Sequence, residues 1–307
     1  MQVRILGSAA GGGLPQWNCG CPNCRAARSG VPEVQPRTQS SVAISADGRC
    51  WFLLNVSADV RQQLARYQEL SPAADCERGT PLAGCILTDA ELDHTSGLLQ
   101  LREGCVLSIY STPLVRRWLV ECFPLGPILS SFAERPWMEL TLGKPMQPVL
   151  PDGSAAGFEV TPFETGRDVP RYVAEDPTQA EGSVVGLMIR DLTTGGRMVY
   201  APGVPAIDDR LREEVVDCDL LLMDGSFWSN DEPKKFGITN RTSFEMGHLP
   251  VSGLAGSLAW MKTLPIKNSV YVHLNNTNPL LDTRSLEYAE VIAAGIRVGS
   301  DGEQFTI

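Results

Sequence analysis

The sequence predicts an α/β fold in which two β-sheets pack together and helices cover them. Short apolar runs with strand character recur in both halves of the chain. Segments with helical periodicity fall between these runs, and this interleaving is typical of sheets with helices on their outer faces. No Ser/Gly-rich linker or block of charge divides the 307 residues, so we predict one domain over residues 1–307.

The predicted elements follow the chain in order. The strand-like runs are Gln2–Leu6, Ser41–Ser45, Trp51–Asn55, Gly84–Leu87, Val106–Tyr110, Gly157–Thr161, Val184–Ile189, Met198–Ala201, Asp219–Met223 and Ser269–His273. The helical patterns are Val60–Leu70, Ser96–Leu101, Pro113–Glu121, Asp208–Val216, Pro250–Leu264 and Arg284–Ala294. Pro/Gly-rich segments predict loops at Pro124–Pro127, Gly143–Gly153 and Pro202–Pro205.

The net charge of the chain limits the classes of partner that we expect it to bind. A net charge of −10 disfavours a nucleic-acid groove or an anionic membrane surface, since both need clustered Lys and Arg. The start of the sequence, Met1–Gly7, lacks the basic and apolar zones of a signal peptide, and no apolar stretch approaches a membrane span. We therefore expect a soluble cytoplasmic protein that binds neither nucleic acid nor membrane.

Three of the nine cysteines lie close together, at Cys19, Cys21 and Cys24. The glycine and proline between them permit tight turns, so the three thiols can converge on one ion. Zinc prefers four tetrahedral nitrogen or sulfur ligands, and adjacent thiolates without a cation repel each other and oxidise. We favour a structural zinc loop at about residues 15–28 over a buried cluster of metal-free thiols. The other six cysteines are scattered, which suits a reducing compartment.

A second cluster of potential metal ligands follows the apolar run Gly84–Leu87, on a loop that leads into a helical pattern. Its members are Asp89, Glu91, Asp93 and His94. The layout resembles the His-x-His-x-Asp-His signature of the metallo-β-lactamase superfamily. Asp93 and His94 match that signature, whereas Asp89 and Glu91 stand where it has its two leading histidines.

Four segments together make the chain similar to the coenzyme PQQ synthesis protein B (PqqB) family over nearly its whole length. The resemblance implies an α/β fold of the metallo-β-lactamase-like αββα type, with two mixed sheets and helices on the outer faces. It also implies Asn276, or a neighbour in the segment from His273 to Asn278, as the fourth ligand of the cysteine zinc. The four segments are Gly7–Pro15 with the cysteine cluster, Asp89–His94, Leu220–Gly225 with Met246–His248, and Val270–Pro279.

Superfamily members commonly hold two metal ions, and the resemblance implies that one of these two sites is kept here. Asp93, His94 and His273 match the ligands of that site. The other site lacks its later histidine near Gly166–Asp168 and its bridging aspartate after Tyr200. Two imidazoles and one carboxylate are the ligand set of non-haem Fe(II) oxygenases. We therefore expect Fe(II), although Zn, Mn or Cu can occupy such a site in purified protein.

Asp89 and Glu91 leave two interpretations open. They can bind a second hard ion, such as Mn²⁺ or Mg²⁺, through oxygen. They can instead hydrogen-bond the histidine ligands or contact the substrate. We favour this second interpretation, hydrogen bonding or substrate contact, because the other ligands of the second metal site are missing.

Asp224 and His248 are a further candidate pair. In hydrolytic relatives the matching acid orients the matching histidine, which moves protons near the metal. We predict the same orienting role for Asp224, and an acid/base or substrate-binding role for His248. The alternative is that Asp224 only ends a buried strand and His248 caps a helix that starts near Pro250. Arg171–Tyr172 and Phe227–Trp228 can line a pocket for an aromatic substrate or serve ordinary packing.

The family resemblance implies a role in pyrroloquinoline quinone (PQQ) biosynthesis. The expected activity is that of an iron-dependent oxygenase, which uses dioxygen to hydroxylate the tyrosine ring of a small Glu–Tyr-derived amino acid. Two alternatives stay open: a metal-dependent hydrolase such as a phosphodiesterase, with Asp89 and Glu91 in a dinuclear site, and a carrier that assists transport of PQQ or its precursor out of the cell. The sequence leaves the oligomeric state open, a homodimer included.

Overall fold

Two mixed β-sheets lie face to face in the computed structural model, which describes residues 1–175 and 180–307. In chain order the strands are β1 (Gln2–Gly7), β2 (Ser41–Ser45), β3 (Trp51–Leu54), β4 (Leu82–Ile86), β5 (Ser108–Ser111), β6 (Trp137–Glu139), β7 (Phe158–Gly166), β8 (Val184–Asp191), β9 (Arg197–Ala201), β10 (Leu220–Asp224), β11 (Asn268–Val272), β12 (Arg297–Val298) and β13 (Gln304–Thr306).

Helices connect the strands and cover the outer faces of both sheets. They are α1 (Pro22–Arg28), α2 (Val60–Arg66), α3 (Leu92–Thr95), α4 (Pro113–Glu121), α5 (Leu125–Ser130), α6 (Asp209–Glu214), α7 (Glu232–Lys235), α8 (Ser257–Met261) and α9 (Leu286–Ala293). Short 3-10 segments span Gln68–Leu70, Ser96–Leu101, Phe244–Met246 and Pro279–Leu281. None of the helices among the described residues has the length and apolar character needed to cross a membrane.

Each sheet combines parallel and antiparallel pairs. The first has the order β13-β1-β2-β3-β4-β5-β6 and is parallel from β3 to β6. The second has the order β12-β11-β10-β9-β8-β7 and is parallel from β12 to β9. The predicted αββα sandwich with two mixed sheets is therefore confirmed.

The apolar runs form strands that are buried on both faces. In β3, Phe52 and Leu54 join the core between the two sheets, whereas Trp51 and Leu53 pack against the helices outside the first sheet. Strand β10 alternates in the same way between the central core and the helices outside the second sheet. This double burial explains why the strands read as nearly continuous apolar runs rather than as alternating ones. Both halves of the chain contribute to the central core, and the one-domain organisation stays a prediction.

Some predicted elements differ from the observed ones. The predicted loop at Pro124–Pro127 is wrong, because α5 begins at Leu125. The helix predicted over Pro250–Leu264 is present only as α8, because Gly253 has a positive φ of 93° that a helix does not accept. Half of the predicted zinc loop is helical, since α1 starts directly after Cys21. The edge strands β6, β12 and β13 were not predicted, since two or three residues carry too little periodicity.

The candidate site lies where several parallel strands end. Strand β4 leads into a loop with Asp89 and then into α3, which carries Asp93 and His94. Strand β10 ends at Asp224, and β11 leads directly into His273. Carboxyl ends of parallel strands form ligand sites in α/β sheets. Strand β4 belongs to the first sheet and β10 and β11 to the second, so the face-to-face packing of the sheets brings these strand ends together. The topology therefore gathers side chains as far apart in sequence as Asp93 and His273, which are 180 positions apart.

Candidate metal centres and active-site cavity

The loop after β4 is held by buried hydrogen bonds before it reaches the ligand candidates. Asn55 adopts a left-handed φ of 60° and its side chain bonds both the backbone N–H and the hydroxyl of Thr88. The Thr88 hydroxyl then donates to Asp89 Oδ2 at 2.7 Å. Both oxygens of Asp89 face His94 Nδ1, at 2.7 and 2.9 Å. A carboxylate accepts only, so His94 carries a proton on Nδ1 and turns Nε2 away from Asp89.

His273 follows β11 in a strained backbone conformation. Its φ is 58°, in the left-handed region that non-glycine residues rarely adopt and that is enriched at functional sites. Its Nδ1 lies 2.8 Å from Ser226 Oγ, and its Nε2 lies 3.4 Å from Asp93 Oδ2. The glycine-rich N-terminal segment approaches from the other side, where a Cβ on Gly11 would lie 3.2 Å from Asp93 Oδ2. A side chain at this position would press on the Asp93 carboxylate.

Three donor atoms from Asp93, His94 and His273 converge on one point. Their ligand atoms lie within 4.8 Å of one another, with 4.0 Å between His94 Nε2 and Asp93 Oδ2. Atoms that bind one ion at about 2.0–2.2 Å are about 3 to 3.6 Å apart, so small side-chain shifts suffice. His94 Nε2 is buried and has no hydrogen-bond partner among the described residues. An unpartnered nitrogen beside a carboxylate and a second imidazole fits a divalent metal.

The electrostatics of this cluster also favour a cation. Burial would raise the pKa of Asp93, but the charge of His94 and the hydrogen bond with His273 hold it well below its usual range. Burial would lower the pKa of His94, but the charges of Asp89 and Asp93 outweigh it and raise that pKa to about 9. Burial, followed by repulsion from Asp89 and Asp93, raises the pKa of Glu91 to about 7. A bound cation would relieve this repulsion among carboxylates.

Asp224 and His248 meet in the structure. Asp224 Oδ2 lies 2.7 Å from His248 Nδ1, and the His248 ring stacks on the His273 ring with centroids 5.4 Å apart. Despite the opposing effect of burial, the carboxylate raises the pKa of His248 and the histidine lowers that of Asp224. The alternative helix-capping role of His248 is wrong, because the next helix begins only at Ser257.

A cavity of about 380 Å³ opens onto these side chains. This volume suits a small molecule. Asp168 lies in its wall where the resemblance implied a histidine, and Pro202–Gly203 lie where it implied a bridging aspartate. The lining also includes Ala10, Gly11, Gln16, Asp89, Glu91, Asp93, His94, Val169, Pro170, Arg171, Ser183, Val184, Ser226, Phe227, Ile238, Arg241, Met246, Gly247, His248, His273 and Asn275.

Three of the four residues that were candidates for an aromatic pocket line cavities, and the fourth packs against other side chains. Arg171 and Phe227 line the cavity. Tyr172 lines an adjoining cavity with Glu91 and hydrogen-bonds to the Ala90 carbonyl. Trp228 is partly buried against the helices outside the second sheet, which is ordinary packing.

The three cysteines also converge. The Sγ atoms of Cys19, Cys21 and Cys24 lie within 4.8 Å of one another. The side-chain Nδ2 of Asn276 donates to them at 3.0, 3.5 and 3.3 Å. An amide nitrogen does not bind zinc, so Asn276 would serve as the fourth ligand only through Oδ1, after its amide group turns over. Asn23 holds this segment by donating to the Asn276 backbone carbonyl at 3.1 Å. Burial raises the pKa of Cys24 to about 12, and a zinc ion would reverse that shift by binding the thiolate.

Among the cavity residues that the sequence analysis did not name, Ser226 and Arg241 are functional candidates. Ser226 is buried between Asp224 and His273, and its only sequence signal is its place two residues after a carboxylate that ends an apolar strand. Arg241 lies in an irregular segment with no pattern, and only the tertiary structure brings it to the cavity.

Comparisons with known proteins agree with this architecture. Residues 50–274 match the family described as the beta-lactamase superfamily domain. The chain is 40% identical over 307 residues to coenzyme PQQ synthesis protein B of Acinetobacter baumannii (strain SDF), with 100% of both chains covered. It is 41% identical over 308 residues to the protein of the same name from Pseudomonas aeruginosa (strain UCBPP-PA14), with 98% of both covered.

Two solved structures extend the comparison. The crystal structure of Zn(2+)-bound PqqB from Methylobacterium extorquens superposes with a TM-score of 0.90 at 37% identity, and 100% of both chains is covered. A diphosphatase from the PhnP family has a TM-score of 0.68 at 19% identity, covering 100% of this chain and 97% of that one. The latter similarity shows a shared fold.

Proposed function

Because this chain belongs to the coenzyme PQQ synthesis protein B family of the β-lactamase superfamily, we propose that it is a metal-dependent enzyme of PQQ synthesis. The activity that we propose is iron-dependent hydroxylation of the tyrosine ring in a Glu–Tyr-derived amino acid. The observation that carries this proposal is the convergence of Asp93, His94 and His273 on one point of the cavity wall.

The donor set favours one redox-active ion. Asp93, His94 and His273 would hold Fe(II), which when bound supplies the electron transfer that lets dioxygen react with an aromatic ring. Asp89 accepts the Nδ1 proton of His94 and so keeps Nε2 free for the metal. A relative was crystallised with Zn²⁺, which supports divalent metal binding in the family.

His248 can move protons at the substrate. Asp224 accepts its Nδ1 proton and leaves Nε2 as the nitrogen that exchanges a proton. The His248 side chain is 18% exposed, so the ring is in reach of a bound molecule while Asp224 stays buried.

The cavity also suits the proposed substrate. A Glu–Tyr-derived amino acid carries several carboxylates and an aromatic ring. Arg171 and Arg241 are exposed residues of the cavity wall, and guanidinium groups bind carboxylates through paired hydrogen bonds. Phe227 can pack against the ring. The positive charge of the arginines offsets the negative charge of four acidic residues in the wall, which would otherwise repel an anionic substrate. These residues are Asp89, Glu91, Asp93 and Asp168.

The dinuclear hydrolase is less well supported. It would need Asp89 and Glu91 as metal ligands, but both oxygens of Asp89 face His94 Nδ1. Asp93, His94 and His273 together are called the histidine centre. Metal analysis of protein purified anaerobically with iron should find one iron in this centre and one zinc with the cysteines. Two ions in the histidine centre, together with phosphodiester turnover, would replace the proposal by a hydrolase.

The decisive experiment is an oxygen-incorporation assay. Protein reconstituted with Fe(II) is given ¹⁸O₂, the cross-linked Glu–Tyr amino acid and a two-electron reductant. One labelled oxygen should enter the ring in place of hydrogen, and the other should leave as water. A product without label would overturn the hydroxylase.

A pair of variants separates an enzyme from a carrier. Asp93→Ala should abolish hydroxylation while substrate affinity changes only a few-fold. Asp168→Ala is the matched control, since it also removes a carboxylate from the cavity wall but leaves the three donors in place. A carrier would instead show equal ligand affinity in all three proteins and no labelled product from any of them.

A further inference from the structure

Ser226 lies at the centre of a buried polar network. It is 1% exposed, and its Oγ is 2.6 Å from Asp224 Oδ1 and 2.8 Å from His273 Nδ1. The same Oγ is 3.1 Å from His248 Nδ1, which already has a shorter contact with Asp224 Oδ2 at 2.7 Å. Ser226 therefore joins one carboxylate to one imidazole.

The number of protons in this network decides which atom donates in each hydrogen bond. A serine hydroxyl has one proton to donate, and a carboxylate can only accept. The shortest contact of Ser226 Oγ is with Asp224 Oδ1, so the hydroxyl proton points there. The lone pairs of Oγ then face His273, whose Nδ1 must be the donor.

We propose that Ser226 is a positioning residue that links Asp224 to His273 and holds the His273 ring with a proton on Nδ1 and a bare Nε2 toward Asp93. The inference rests on the proposed role of His273 as a metal ligand and adds a residue that acts through it. Asp224 thereby orients two imidazoles, His248 directly and His273 through Ser226.

This arrangement has a counterpart across the metal centre. Asp89 holds the ring of His94 by accepting its Nδ1 proton directly. His273 obtains the same orientation through a hydroxyl, because the Asp224 carboxylate is already shared between His248, Ser226 and the backbone N–H of Val204. A serine here extends the reach of one buried carboxylate to a second ring.

The test uses full-length zinc-loaded protein with ¹⁵N in its histidine rings. Only three histidines are present, so each ring can be assigned. In the unmutated protein His273 should show a protonated Nδ1 that is protected from solvent exchange and an Nε2 bound to zinc. Zinc on Nδ1 of His273, or an unprotected Nδ1 proton, would overturn the proposal before any variant is made.

Substitution of Ser226 gives the quantitative test. In Ser226→Ala the His273 Nδ1 proton should exchange at least about 10-fold faster, and zinc should dissociate from the histidine centre with a Kd about 10–100-fold higher. The Nδ1 proton of His94 should not change, because Asp89 holds it. Equal exchange and equal affinity in Ser226→Ala would refute the role of the hydroxyl.

Two further variants control for structural damage. Ser226→Thr keeps a hydroxyl and should restore both values to within about 3-fold. Ser183→Ala removes another buried hydroxyl of the cavity wall, one that has no hydrogen-bond partner among the described residues, and should change neither value. None of these measurements requires oxygen chemistry. Loss of the hydroxylase proposal alone would leave the exchange and affinity differences intact.

Discussion

The histidine centre and the cysteine cluster differ in their donor atoms and in whether they face the cavity, although one short segment contributes a residue to each. His273 turns toward Asp93 and His94, and Asn276, three residues later, turns toward the thiols. The first centre offers nitrogen and oxygen at the wall of a cavity. The second offers three sulfurs, with the side-chain amide of Asn276 beside them.

The donor atoms of each centre and its access to the cavity determine which centre can bind a substrate. A mixed nitrogen and oxygen set with open positions leaves room for substrate, whereas four converging donors around zinc leave none. The cysteine cluster can therefore stabilise the segment from which His273 projects without taking part in the chemistry. A substitution that removes a donor from one centre should therefore leave the other centre intact.

The largest effect is expected for Asp93→Ala. Loss of a ligand that stabilises charge by about 4 kcal/mol corresponds to a fall in turnover of about 1,000-fold. The iron content should drop from one per chain toward zero, while the cysteine zinc stays. Metal analysis and the oxygen-incorporation assay measure both. Loss of zinc together with iron would mean that the two centres are not separable.

Substitution Cys24→Ser should act on stability instead. Zinc at about 1,000 times its Kd stabilises the folded protein by about 4 kcal/mol, and this contribution should be lost. Thermal unfolding with and without a chelator measures the loss. Cys76→Ser, which changes an exposed cysteine outside the cluster, should leave the unfolding temperature unchanged. An unaltered unfolding temperature in Cys24→Ser would argue for metal-free thiols.

Asp89→Asn tests the hydrogen bond behind His94. The metal Kd of the histidine centre should rise about 10–100-fold, the usual cost of losing a partner that orients a ligand. Asp168→Asn removes the same charge from the same cavity but does not touch His94, so its Kd should stay within about 2-fold. Titration with Fe(II) under anaerobic conditions measures both. Equal losses in the two variants would reduce the effect to net charge.

The smallest effect is expected at the rim of the cavity. Arg171→Gln and Arg241→Gln should each raise KM for the Glu–Tyr-derived substrate about 10-fold, since a hydrogen bond from an exposed arginine to a charged group contributes about 1.5 kcal/mol. Because the arginines do not touch the metal donors, kcat should change less than about 2-fold. Arg212→Gln, in a groove outside the cavity, is the control. A fall in kcat with an unchanged KM would contradict substrate recognition by the arginines.

Much of the metal centre could be predicted because its residues sit in short motifs. Asp93 and His94 are adjacent in sequence and His273 follows an apolar strand, so the family resemblance of these motifs indicated a candidate ligand set. The edge strands and the length of α8 could not be predicted as well, because two or three residues carry little periodicity and a glycine ended the helical pattern.

The sequence by itself determined which strands are buried on both faces, where the cysteine cluster lies and which residue types the histidine centre offers. These features depend on the local order of residues along the chain. Only the tertiary structure decided that Ser226 bridges Asp224 and His273, and that Arg241 reaches the cavity. The physical reason is distance along the chain. Hydrogen bonds between segments depend on how parallel strands bring their ends together, and local sequence patterns do not contain that information.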